Sequence, residues 1–68
     1  MNYEINVARG GRHWFATADR SLTTRQEADE CFDALVRAFP DCEVSMSLVE
    51  RRGYSLRKWA PRPGGEWE

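Results

Sequence analysis

The stretch between Thr24 and Phe39 carries apolar residues at the spacing of a single helix face, and this stripe constrains the fold more than any other feature. Thr24 and Glu27 have the spacing of a capping box, in which two side chains satisfy free N–H groups at a helix start. Pro40 cannot continue a helix. We therefore predict one amphipathic helix over residues 24–39, whose stripe must be buried by a second layer. The stripe consists of Ala28, Cys31, Phe32, Leu35, Val36 and Phe39.

The residues before this helix predict a β-hairpin. Alternating apolar residues over 3–8 indicate a half-buried strand, and residues 13–18 form the returning strand. Gly10 and Gly11 suit a two-residue turn, because both of its central residues take positive φ. Such a turn places Val7 opposite Trp14 and Ile5 opposite Ala16 on one face, whereas a three-residue loop would reverse this assignment.

Two more strands are predicted after the helix. Alternation over residues 42–49 indicates a third strand, with Met46 and Leu48 on its apolar face. Residues 51–53 predict a turn that ends in Gly53, a residue suited to the left-handed conformation. Residues 54–59 complete the sheet as an edge strand. The side chains expected to share the apolar face of the third strand are Tyr54, Leu56 and Lys58.

These elements predict an α+β domain: an antiparallel sheet of three to four strands, in the order β-β-α-β-β, with one amphipathic helix packed on one face. The 68 residues make one small domain, which we assign to residues 1–59, with a flexible Pro/Gly tail at 60–68. The other sheet face lacks a covering layer. Either a partner or second copy covers it, or the tail and long arginines screen it. The side chains expected there are His13, Phe15, Val49 and Trp59.

The composition excludes several functional classes. Cys31, Cys42 and a single histidine, His13, are too few for a disulfide scaffold or a zinc site, so we expect buried free thiols in a reducing compartment. His13 has no triad-like neighbours and no phosphate-binding glycine motif is present, so we expect no enzyme, metal or cofactor. No apolar run is long enough to span a membrane and no signal peptide is recognisable, which makes the cytoplasm the expected location.

The charges are segregated along the chain, although the net charge is only −1. Residues 26–50 contain seven acidic residues and one basic residue, Arg37, which is spaced to pair with Asp33. This segment is either a solvated helix face matched to the helix dipole or a patch that competes for a basic groove, including by resembling a phosphate backbone. The candidate partner-binding residues are Glu27, Asp29, Glu30, Asp33, Asp41 and Glu43.

Residues 51–63 contain five basic residues and no acidic ones, and they also have two interpretations. Cations interleaved with aromatic side chains are typical of a surface that binds phosphates and stacks on bases, and Arg9 and Arg12 would extend it. A charged edge strand that prevents edge-to-edge pairing explains the same residues. The near-zero net charge disfavours direct nucleic-acid binding. The candidate nucleic-acid surface consists of Arg51, Arg52, Tyr54, Arg57, Lys58 and Trp59.

Residues 3–18, Tyr-Glu-Ile-Asn-Val-Ala-Arg-Gly-Gly-Arg-His-Trp-Phe-Ala-Thr-Ala, followed by Ser-Leu-Thr-Thr and the acidic helix, resemble small orphan proteins of bacterial phages and mobile elements. In size, acidity and β-β-α-β order the chain is similar, over most of residues 3–59, to anti-CRISPR proteins that act on type I systems. These share no sequence motif.

This resemblance implies a non-enzymatic inhibitor that binds a host protein, either a subunit of the surveillance complex or its nuclease. It would block target-DNA recognition or nuclease recruitment through the acidic helix, by DNA mimicry or by a steric or allosteric effect. The alternatives are a small nucleic-acid-binding module that uses the basic C-terminal hairpin, and a homodimeric structural module. Both a monomer and a homodimer are compatible with the sequence.

Overall fold

The structure is a computed structural model and describes residues 1–60. Its elements are strand β1 at Asn2–Arg9, strand β2 at Arg12–Ala16, helix α1 at Arg25–Ala38, strand β3 at Glu43–Glu50 and strand β4 at Gly53–Ala60. The strands form one antiparallel sheet in the spatial order β2-β1-β3-β4. The predicted α+β fold and element order are confirmed. Ala60 belongs to β4, and the rest of the predicted tail lies outside the described residues.

Helix α1 begins and ends where the local sequence signals predict. Thr24 is the N-cap: its backbone is extended, and its Oγ1 accepts a hydrogen bond from the N–H of Glu27 at 3.2 Å. At the other end, the N–H of Phe39 donates to the carbonyl of Leu35 at 2.9 Å. Pro40 then prevents another helical turn. The helix is therefore specified by residues within it and directly beside it.

The core lies between helix α1 and the two central strands of the sheet, β1 and β3. All of its strand residues point to the side of the sheet that faces the helix. Among residues 1–60, no element packs on the opposite side, which we call the open face. The buried residues of the core cluster are Ile5, Val7, Ala28, Phe32, Cys42, Val44 and Met46.

The first hairpin has the predicted turn but not the predicted register. Gly10 and Gly11 both have positive φ, 58° and 80°, and the strands pair directly around them. One extra residue on β2, Trp14, then shifts the pairing, so Val7 lies opposite Phe15 instead. Phe15 therefore lies on the helix side, and its expected place on the open face is wrong. Ala16 pairs with Asn6 on the open face, so the expected pairing of Ile5 with Ala16 is also wrong.

The second hairpin departs from the prediction for two reasons. Its turn contains two residues, not three, because Gly53 already pairs with Glu50 as the first residue of β4. Tyr54 then lies opposite Val49 and Leu56 opposite Ser47, so both belong to the open face; their expected place on the apolar face is wrong. An extra residue, Arg57, shifts the register of the remaining strand. As a result Lys58 lies opposite the buried Met46 on the helix side, as expected.

Candidate interaction surfaces

Lys58 joins the edge strand β4 to the acidic side of helix α1. Its Nζ donates to Oδ1 of Asp29 at 2.8 Å and lies 3.8 Å from Oδ1 of Asp33. The ammonium group also lies 4.9 Å from the centre of the Phe32 ring. The Lys58 side chain is only 17 % exposed, so water screens this cation less than it would a surface lysine. Two of the four predicted helix acids are therefore partly neutralised within the chain.

The other predicted acids do not gather into one patch. Glu27 and Glu30 are exposed, and neither forms an ion pair with any residue in the described range 1–60. Asp41 lies exposed in the loop before β3, and Glu43 lies opposite Ala8 on the open face, away from the helix. The predicted pairing of Arg37 with Asp33 is likewise not found among these residues, since Asp33 lies beside Lys58 instead.

An exposed aromatic cluster, which the sequence did not reveal, lies on the helix side of strand β2. The ring centres of Trp14 and Phe15 lie 6.3 Å and 5.5 Å from that of Phe39, both in edge-on contact. Trp14 remains 46 % exposed and Phe15 remains 37 % exposed. The guanidinium carbon of Arg9 lies 5.8 Å from the centre of the Trp14 ring. The cluster depends on the extra residue in β2, which turns Phe15 toward the helix.

The sheet order and the helical period together relate this cluster to Glu27 and Glu30, the two helix acids without an ion pair among residues 1–60. Lys58 holds Asp29 on the β4 side of the helix, and strand β2 is at the opposite edge of the sheet. At about 100° per residue, Glu27 projects from the helix flank opposite Asp29, toward the β2 side, and Glu30 projects outward beside it. We call the surface formed by Glu27, Glu30 and the three clustered aromatic residues the helix-flank surface.

A second exposed surface lies on the open face along strand β4. Tyr54 is 67 % exposed and Leu56 is 45 % exposed. Trp59 lies opposite Ser45 on the same face and is half-buried, which confirms its predicted side of the sheet. Val49 is half-buried opposite Tyr54, also as predicted. We call the surface formed by Tyr54, Leu56, Trp59 and Val49 the β4 surface.

The basic residues around the β4 surface are arranged differently from the prediction. Arg51 and Arg52 form the turn before β4, at one end of the sheet. Arg9 and Arg12 flank the first turn, which lies at the opposite end because β1 and β3 run antiparallel. The expectation that these two pairs form one continuous surface is therefore wrong. Lys58 points to the helix side, so it lies on the other face of the sheet from Tyr54 and Trp59.

Both edge strands carry features that oppose pairing with another sheet. β2 has only five residues and is interrupted by its extra residue, Trp14. β4 is interrupted at Arg57 and directs the charged Lys58 inward. Bulges, short edge strands and inward-pointing charges each block edge-to-edge addition. The charged-edge interpretation therefore accounts for Lys58, and the two exposed surfaces are the better candidates for binding.

Over residues 1–60, no three His, Cys, Asp or Glu side chains are positioned to hold a metal ion together. His13 is exposed and pairs with Ala8 on the open face, which is the side predicted for it. Cys42 is buried and Cys31 is half-buried, and both are free thiols. In the same range, the helix is too short and too polar to cross a membrane.

Comparison with known proteins adds no relative. No protein-family model matches the chain, and neither a curated protein nor a solved structure is significantly similar to it. The functional interpretation therefore rests on the two surfaces described above.

Proposed function

We propose that this chain is a non-enzymatic inhibitor that binds a protein of a bacterial nucleic-acid machine and blocks its action by direct contact. The target we propose is a subunit of a type I CRISPR surveillance complex or its nuclease, which is the class implied by the resemblance to small phage proteins. The observation that carries the proposal is the helix-flank surface. Exposed aromatic rings lie there at the C-terminal end of the helix, and two exposed carboxylates, which form no ion pair among residues 1–60, project from the flank and the outer side of its first turns.

The composition of this surface is that of a protein–protein contact. Interfaces combine a few aromatic or arginine anchors at the centre with a polar, charged rim. Trp14 and Phe15 supply exposed aromatic area, and Arg9 lies beside the indole ring. From Glu27 to Phe39 the helix extends by twelve residues, or about 18 Å. That length suits one side of a standard interface, which buries roughly 800 Å² per partner.

The distribution of charge favours a steric block over mimicry of a DNA backbone. Lys58 offsets one of the two negative charges of Asp29 and Asp33, so the helix carboxylates without an ion pair among residues 1–60 are Glu27 and Glu30. Two exposed carboxylates attract a basic partner and guide its approach, but they do not reproduce a continuous row of phosphates. We propose that the carboxylates orient the partner and that the aromatic cluster supplies most of the affinity.

The test uses purified type I surveillance complexes of several subtypes, each with its guide RNA and a labelled target duplex. The full-length chain is titrated into each complex, and both target binding and recruitment of the nuclease are measured. We expect at least one complex to lose one of these activities at a near-stoichiometric amount of the chain. If no complex is affected, the proposed target class is wrong.

Two pairs of variants locate the contact surface. We expect Trp14→Ala and Glu30→Lys to weaken inhibition at least about tenfold, since a lost central anchor commonly costs more than this. Tyr54→Ala and Glu50→Lys make the same kinds of change away from the helix flank and should leave inhibition intact. Circular dichroism must show that all four variants fold. If only the control pair weakened inhibition, the helix-flank surface would not be the contact.

A further inference from the structure

We infer that the β4 surface on the open face is a binding site for single-stranded nucleic acid. This site lies on the other side of the sheet from the helix-flank surface, so it is independent of the proposed function. The inference rests on three features around the same hairpin. The first is a row of an exposed tyrosine, an exposed leucine and a half-buried tryptophan. The others are arginines without acidic partners among residues 1–60 at one end, and small polar side chains on the neighbouring strands.

The aromatic row provides a stacking platform. One face of the strand carries Tyr54, Leu56 and Trp59. Leu56 and Trp59 are three positions apart, and the extra residue Arg57 between them keeps both side chains on that face. From Tyr54 to Trp59 the strand extends by about 15 Å, which is enough for two to three extended nucleotides. Aromatic side chains on an uncovered sheet face stack on unpaired bases, a mode open to single strands but not to the bases of a closed duplex.

The arginines supply phosphate contacts beside this platform. Within residues 1–60, Arg51 and Arg52 have no acidic partner, and neither does Arg57. The first two are exposed in the turn next to Tyr54, and Arg57 is half-buried beside Leu56. A strand whose bases stack along β4 therefore has cations at one end of the platform, and a further arginine belongs to the same strand. Charge complementarity makes a polyanion the fitting occupant.

The neighbouring strands present groups that bond to bases or sugars and few charges that repel phosphates. Ser45 lies opposite Trp59 and Ser47 opposite Leu56, both on the open face. Two carboxylates share this face. Glu4 lies on β1, two strands away from β4, and accepts a hydrogen bond from Asn6 Nδ2 at 3.1 Å. Glu43 lies toward the opposite end of the sheet from the arginine turn. The phosphates are therefore expected near Arg51 and Arg52, away from both acids. Glu50 is exposed next to Arg51, but it pairs with Gly53 at a position on the helix side of the sheet.

The experiment measures the fluorescence anisotropy of labelled oligonucleotides mixed with the full-length chain. It is carried out at about 20 mM and about 200 mM salt, because phosphate contacts weaken as the salt concentration rises. The probes are dT12 and U12, which separate DNA from RNA, and a duplex of the same length. We expect the single strands to bind and the duplex to bind more weakly. With two to three phosphate contacts, a slope of about −0.7 per contact predicts a loss of affinity of about 25- to 125-fold over this tenfold salt range.

Matched variants on the two faces test the assignment. Tyr54→Ala should weaken binding at least about fivefold, whereas Trp14→Ala, on the helix side, should not. The double reversal Arg51→Glu/Arg52→Glu should abolish binding, whereas Arg9→Glu/Arg12→Glu, at the opposite end of the sheet, should preserve most of it. Tyr54 is the preferred aromatic target because it is the more exposed of the two β4 rings, so its removal leaves the fold intact.

Three results would overturn the inference: no single-strand binding at 20 mM salt by folded protein, equal losses for both double reversals, or no effect of Tyr54→Ala. None of these bears on the helix-flank surface, because Tyr54→Ala is a control there and Trp14→Ala is a control here. A variant pattern in which Tyr54→Ala weakens inhibition of a surveillance complex without any nucleic-acid binding would assign the β4 surface to a protein partner instead.

Discussion

Breaking the ion pair between Lys58 and Asp29 should destabilise the domain by an amount that the structure allows us to estimate. Lys58→Met is the informative substitution, because methionine keeps an unbranched apolar side chain while removing the ammonium group that contacts Asp29 and the Phe32 ring. Lys58→Ala removes both the charge and the stem. The difference between the two variants separates the ion pair from the packing of the lysine stem.

The magnitude follows from distance and exposure. A hydrogen bond to a charged group contributes about 1.5–3 kcal/mol when well buried, whereas an exposed ion pair contributes about 0.2–1 kcal/mol. The Nζ–Oδ1 distance of 2.8 Å is ideal, but Asp29 is 38 % exposed. We therefore expect a coupling free energy of about 1 kcal/mol between Lys58 and Asp29, between the two ranges. For a domain of this size, that corresponds to a shift in Tm of roughly 4–8 °C.

The assay is a double-mutant cycle in urea with Lys58→Met, Asp29→Asn and the double variant, at low and at high salt. Each free energy of unfolding comes from the same linear extrapolation. Arg57→Met, a cation on the same strand without an acidic partner among residues 1–60, is the matched control. Its loss should change stability by less than about 0.5 kcal/mol. High salt should reduce the coupling only in part, because the ammonium group is largely shielded from water.

A coupling free energy below about 0.3 kcal/mol would refute this reasoning, since the pair would then behave as a freely exposed one. Equal destabilisation by Arg57→Met would also refute it, because the effect would then depend on the net charge of β4 and not on the contact with Asp29.

Two further predictions concern local structure. Thr24→Ala should lower the free energy of unfolding by about 1 kcal/mol, because it leaves the N–H of Glu27 without its cap. The control Thr23→Ala should change this free energy by only a few tenths of a kcal/mol. Equal effects of the two substitutions in urea denaturation would mean that the cap contributes nothing. Gly10→Ala should lower the free energy of unfolding by about 1–2 kcal/mol, because φ at this position is +58°. Steric crowding is not the cause, since no atom lies within 4 Å of the added methyl group. Unchanged stability in thermal unfolding would show that the turn adopts another conformation.

Local signals account for the parts of the fold that could be predicted. The helix was predicted because its cap, its apolar stripe and Pro40 lie within one continuous segment. The strands were predicted because alternation is visible over four or more residues. Each of these features is encoded by neighbours in sequence, so no knowledge of the packed structure was needed.

The faces of the two hairpins could not be predicted for a physical reason. Trp14 and Arg57 are the extra residues that shift the register, and neither has a composition that marks a bulge. A one-residue shift exchanges the two faces of a strand. Trp14 moved Phe15 to the opposite side from the one expected, the two-residue turn before Gly53 moved Tyr54 and Leu56, and Arg57 then returned Lys58 to its expected side. Periodicity alone does not reveal where the register of a strand shifts by one residue.

The candidate site was predicted in residue type but not in arrangement. The acids and the basic aromatic hairpin were recognised separately. The contact between Lys58 and Asp29 joins residues 29 positions apart, so it depends on the packing of helix against sheet. The aromatic cluster at Phe39 was missed for the same reason, since its members come from two elements. A pattern that allowed for one extra residue in β2 would have placed Phe15 near Phe39.

The extra residue at Arg57 makes the length of this strand variable at one position and fixed elsewhere. Loss of Arg57 itself would leave Lys58 opposite Met46 and Trp59 opposite Ser45, since the remaining residues would then alternate regularly. If Arg57 instead paired with Met46 as an ordinary strand residue, Lys58 would move to the open face and Trp59 would turn under the helix, since every later position would change sides. The two helix carboxylates would then face an indole ring, and the row of side chains on the open face would be interrupted by an ammonium group. A homologue that lacks a residue at position 57 should therefore keep the residue types at positions 58 and 59 without compensating changes.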